Sequence, residues 1–123
     1  MPPLPDEALV VRGGKNLPEN FAQGSGVSLD ADGKLQGVSV NAGAGLTLEQ
    51  LTAANAKGYQ GIPNTKVGQT TVGEVRKLGG HVEPKPRPWN PHHATLSGLT
   101  PEQASALFRP TVKNPNAKAR KKK

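Results

Sequence analysis

Residues 88–110 read PWNPHHATLSGLTPEQASALFRP, and the class of fold is decided by how this stretch changes its period half-way. Residues 93–97, HATLS, alternate as a strand does. Three residues later Thr100-Pro101-Glu102-Gln103 combines an N-cap, a proline at the first helical position and the reciprocal glutamine of a capping box. The spacing predicts a helix to about Phe108, stopping before Arg109-Pro110, with Ala104, Leu107 and Phe108 facing inward. The same stretch holds the single Trp, two of the three His and one of the two Phe.

Working outward toward the amino terminus, residues 83–88, EPKPRP, alternate proline with charge, which forces an extended, polyproline-like backbone. Trp89 is expected to anchor that arm. Residues 81–83 read as a brief strand. Thr71-x-x-Glu74 is a second capping box and predicts a helix over 72–78, with Val72, Val75 and Leu78 on one face and Arg76 and Lys77 in the last turn, where the dipole favours cations. Residues 59–70, rich in Gly, Pro and Asn, read as a surface loop. Thr47-x-x-Gln50 predicts a helix over 48–57. Residues 27–29 and 35–40 flank Asp30-Ala31-Asp32-Gly33, a hairpin signal. A calcium loop is excluded there because its fifth, sixth and twelfth places fall on Lys34, Leu35 and Asn41. Residues 8–12, ALVVR, end at Gly13-Gly14 and read as a buried first strand, followed by one helical turn from Pro18.

The expectation is an α+β protein: a small single domain over residues 6–110, with two short, mostly antiparallel sheets, three short helices and long Gly/Pro-rich loops. Residues 111–123 are expected to form a disordered basic tail. With 33% apolar residues and 3% aromatic, the core must be built from Val, Leu and Ala.

Charge is unevenly placed. The net charge is +7, yet residues 1–109 carry ten Lys/Arg and nine Asp/Glu, and the remaining six cations are Lys113, Lys118, Arg120, Lys121, Lys122 and Lys123. Such a block is a solvated tail that docks on polyanions, so a nucleic-acid contact through Lys118, Arg120, Lys121, Lys122 and Lys123 is expected. The absence of Cys excludes disulfides and thiol chemistry. No run approaches the length of a membrane helix, and the first residues lack a signal-peptide pattern. The expectation is a cytoplasmic protein, with delivery into a target cell by a carrier left open.

Among polar groups, His93 is favoured over His92 as a general acid/base or ribose ligand, because a strand would hold it. Adjacent histidines on an extended chain point to opposite sides, so no metal site is expected. Arg12 is either a strand-end cap with its head in water or an anion clamp. Tyr59 is either a stacking platform or a core plug. The NAGAG turn at 41–45, with Gly43 and Gly45, either touches a phosphate or is simply flexible.

Taken together, Val10-Val11-Arg12-Gly13-Gly14, the Ser-bearing run Gly37-Val38-Ser39-Val40 and the late His-containing strand resemble the small mono-ADP-ribosyltransferase-like toxins of bacterial secretion and toxin–antitoxin systems. The resemblance implies an NAD-binding cleft between two small sheets. Arg12, with Gly13, Gly43 and Gly45, would serve the dinucleotide phosphates and Ser39 the nicotinamide site, with His93, Tyr59 and Glu83 as catalytic candidates. It also implies an antitoxin or immunity partner. The chain carries neither the Ser-Thr-Ser triplet nor the Gln/Glu-x-Glu motif of that family. Two other classes stay open: a metal-independent ribonuclease toxin or RNA-binding protein, using an Arg, a His and a Glu beside a Lys-rich tail, and a non-enzymatic interaction domain whose partner binds the Pro-rich arm. Either enzymatic reading requires the Arg12 guanidinium and the His93 imidazole to share one hollow.

Overall fold

The β-branched pair Val10-Val11 lies at the centre of the molecule. In the computed structural model, which describes residues 3–24 and 26–117, strand β1 (Leu9–Gly13) runs through a six-stranded antiparallel sheet. On one side it pairs with β4 (Val38–Gly43), followed by β7 (His93–Ser97) and the edge strand β6 (His81–Pro84). On the other side lie β5 (Lys66–Thr71) and the short β8 (Val112–Lys113). A separate hairpin joins β2 (Ser28–Leu29) to β3 (Leu35–Gln36) across the expected Asp-Gly turn. The helices are α1 (Pro18–Ala22), α2 (Leu48–Thr52), α3 (Val72–Lys77) and α4 (Pro101–Phe108). The architecture is the expected α+β one, with one large and one small sheet, and the turn at Pro18 adds a fourth helix.

Strand alternation divides the side chains between two faces. Val10, Val38, Val40, Ala42, Val82, Ala94 and Leu96 point to one face and form the larger core with Phe21 of α1, Val72 and Val75 of α3, and Ala104 and Phe108 of α4. The two phenylalanine rings tilt together at 5.8 Å between centroids. Val11 and Val67 point to the other face, where Leu51 of α2 and Ile62 close a smaller core. That second face is covered only in part, and the polar residues discussed below occupy the rest.

Five local expectations are corrected. The helix expected over 48–57 stops at Thr52, because the Asn55 side chain accepts from the backbone N–H of Lys57 and of Tyr59 and holds a turn that competes with the helix. The strand expected over 35–40 breaks at Gly37, whose φ of 82° turns the chain from the hairpin into the large sheet. The run called a loop at 59–70 contains β5. Gly68 reads as a loop signal but marks a close approach, since a Cβ there would collide with the Phe108 carbonyl oxygen at the end of α4. The chain beyond Pro110 joins the fold: Val112 and Lys113 pair with Val67 and Lys66, and buried Asn114 donates to the carbonyls of Ile62 (2.7 Å) and Asn64 (2.8 Å). Trp89 is 49% exposed, and the arm is fixed instead by its neighbour Asn90, 4% exposed.

Candidate functional site

β1 pairs with β4 only where Leu9, Val10 and Val11 stand opposite Gly43, Ala42 and Asn41. β1 then continues beside β5 as far as Gly13, while β4 runs beside β7 from Val38 onward. Past Val11 the sheet therefore splits, and a hollow of about 300 Å³ opens at the split, lined by Ser39, Asn41, Tyr59, Ile62, Trp89 and His93 among others.

The strand register builds this hollow. Asn41 stands opposite His93 and Ser39 opposite Thr95, so Ser39 and His93 are diagonal neighbours on one face. The His93 ring is held at both nitrogens. Nδ1 lies 2.9 Å from the Lys85 carbonyl oxygen and Nε2 3.3 Å from Ser39 Oγ. A carbonyl only accepts, so Nδ1 carries the hydrogen and donates to it, and in the neutral ring Nε2 accepts from the Ser39 hydroxyl. Asn41 Nδ2 donates to the Tyr59 hydroxyl oxygen (2.8 Å) and to the Leu51 carbonyl (2.9 Å), and Asn90 Nδ2 donates to Asn41 Oδ1 (2.9 Å). Tyr59 is half-buried in the wall of this hollow. Its oxygen is fixed by a buried amide while its own O–H stays available.

The residue Arg12 borders the same hollow, but its guanidinium does not enter it. Arg12 alternates with Val11 and so projects to the face of the larger core, where its Cζ sits 4.4 Å from the Phe21 ring centroid. Nη1 donates to Asn16 Oδ1 (2.9 Å) and Nη2 to the Asn20 carbonyl (3.3 Å). The imidazole of His93 lies on the opposite face. The expected meeting of the two heads in one cleft is corrected for that reason: one pleat separates them.

What Arg12 lines instead is a larger open groove of about 950 Å³, which also takes in Lys15, Lys66 and Arg109 and no carboxylate residue. Among the described residues, the acidic partners found at salt-bridge distance belong to Arg76, Lys77 and Lys85, none of which lines this groove. Burial pushes the Arg12 guanidinium below its ordinary value, the sign of a cation that has lost water and gained no counter-charge. The three other cations come from a turn, a strand start and a helix end, and no local signal in the sequence joins them.

The remaining candidates are scattered. Gly13 borders both the hollow and the groove and has no room for a side chain, because a Cβ there would strike Asn64 and Ile62 side-chain atoms. Gly43 pairs with Leu9 at the opposite end of β4 from Ser39, and Gly45, with φ of 71°, lies in the turn before five-residue α2. Neither lines the hollow or the groove. Glu83 shares the sheet face of Ser39 and His93 but lies outside the hollow, with its carboxylate 3.5 Å from Lys85 Nζ. Lys118, Arg120, Lys121, Lys122 and Lys123 lie outside the described residues. Among the described residues no helix is long and apolar enough to cross a membrane, and no three His, Asp or Glu side chains gather as metal ligands would. Compared with known proteins, the chain matches no family model, no curated protein and no solved structure.

Proposed function

We propose that this protein binds single-stranded RNA, the phosphate backbone lying in the basic groove and a base reaching the neighbouring hollow. One observation carries this reading: Arg12, Lys15, Lys66 and Arg109 line an open groove with no carboxylate. Four cations in an open channel match a chain of phosphates better than one small anion. The groove and the hollow have Arg12, Gly13 and Asn64 in common, so a strand passing round that ridge brings a base toward Tyr59 and Trp89, whose ring faces suit stacking. A fluorescently labelled single-stranded RNA titrated at several salt concentrations tests this. The Lys66→Glu/Arg109→Glu double variant should weaken binding at least tenfold and flatten the plot of log K against log salt by about 1.4, roughly 0.7 per lost phosphate contact. Affinity unchanged in that variant means that the basic carboxyl-terminal residues alone hold RNA, and the groove reading fails.

A further inference from the structure

We propose that Ser39 is a nucleophile, activated by His93, that takes an acyl group from a small carboxylic ester at the hollow. The inference stands on the hollow alone and is independent of what the basic groove holds.

Serine attack needs a base on the hydroxyl and a third group that orients the base. The Ser39 hydroxyl donates to His93 Nε2 at 3.3 Å, and His93 Nδ1–H donates to the Lys85 carbonyl at 2.9 Å. That carbonyl is a fixed orienter, because the Lys85 N–H donates to the His93 carbonyl at 2.9 Å, so a backbone pair and a side-chain bond lock the same two residues together. Both reacting residues sit on paired strands, which hold geometry better than loops. The hollow also offers a donor for the developing oxyanion. Tyr59 receives Asn41 Nδ2 at its oxygen, and Asn90 steadies Asn41, which leaves the tyrosine proton to donate into the space. Ile62 and the half-exposed Trp89 supply apolar wall for a short acyl chain.

The step balances without any co-reactant beyond water. Ser39 Oγ forms a bond to the acyl carbon as its proton passes to His93 Nε2. The ester's leaving oxygen then departs with that proton. Water next gives a proton to Nε2 and attacks the acyl carbon, and Ser39 Oγ leaves and recovers the proton.

An alkyl fluorophosphonate, which traps activated serine, tests the proposal by intact mass and peptide mapping, with 4-nitrophenyl acetate as substrate. A single adduct is expected on Ser39, absent in Ser39→Ala and formed on the order of a hundredfold more slowly in His93→Asn, which can still donate to Lys85 but cannot act as base. Should His93→Asn melt early, Tyr59→Phe serves in its place and should slow ester turnover about a hundredfold while leaving the fold intact. No adduct, an adduct on Tyr59 in place of Ser39, or labelling that His93→Asn leaves unchanged would each overturn the proposal.

Discussion

Asn16 supports the basic groove from beneath. It is fully buried with φ of 58°, a left-handed conformation that Asn tolerates better than most residues. Its Oδ1 receives the Arg12 guanidinium, its Nδ2 donates to the carbonyls of Arg12 and Gly14, and its own carbonyl accepts from Ser105 Oγ on α4. Asn16→Ala strands the Arg12 guanidinium and the Arg12 and Gly14 carbonyls in a strained backbone and should cost about 2–3 kcal/mol, read by urea unfolding. It should also free Arg12 and so weaken whatever anion the groove holds. Asp30 acts at the surface. Its carboxylate accepts from the backbone N–H groups of Lys34 and Asp32 and from Gln36, and the Lys34 bond is the chief reason its pKa lies below the ordinary carboxylate value. A group depressed in the folded state stabilises above its unfolded value and loses that contribution as pH falls through the folded one. The protection of the Lys34 amide against exchange, relative to an unstructured amide at the same pH, should therefore fall in acid. In Asp30→Asn that acid-side change should vanish; an unaltered pH profile in the variant excludes this origin.

At the scale of elements, Val112–Lys113 matters more than its two residues suggest. It edges β5, and the turn after it stitches the chain to α2: Asn116 Nδ2 donates to the Glu49 carbonyl at 2.7 Å and to Thr52 Oγ1 at 2.8 Å. Asn114→Ala should release this segment and lower stability by about 2 kcal/mol, because the buried Ile62 carbonyl and the Asn64 carbonyl lose their donor. A melting curve checks it, and an unchanged midpoint would mean that the segment is not held by Asn114. These elements also mark what a reader of the chain can and cannot see. The three Thr-based caps at 47, 71 and 100 were legible because the signal and the structure lie within four residues, and each hydroxyl accepts the expected backbone N–H. β7 and α4 follow from the same local rules. β5 and β8 were not legible, since Gly68 looks like a turn unless α4 is known to cross it, and a two-residue strand has no period. Ser39, Tyr59 and His93 could be named singly. That Arg12 turns away from them follows from a pleat, whose phase relative to loop 59–64 no local pattern reports.

Over the whole molecule, the electrostatics depend on topology more than on composition. Lys15, Lys66 and Arg109 are far apart in the chain and share a groove only because β5 lies beside β1 and α4 ends against Gly68. Their mutual repulsion is unrelieved by any lining carboxylate, so anions should stabilise the fold. Inorganic phosphate at about a hundred times its Kd should add roughly 2.7 kcal/mol, and Lys66→Glu should remove most of the effect. A melting temperature indifferent to phosphate would leave the groove without a specific anion site.

The three rungs that join β1 to β4 have a mechanical meaning as well. Three strands lie on either side of a seam that is zipped at one end and open at the other, so bending of the sheet concentrates along that line. Anything wedged into the open end pries against those three rungs. Occupancy of the hollow should therefore register first as altered exchange of the Val11 and Asn41 amides, which face each other across that line, well before the outer strands respond.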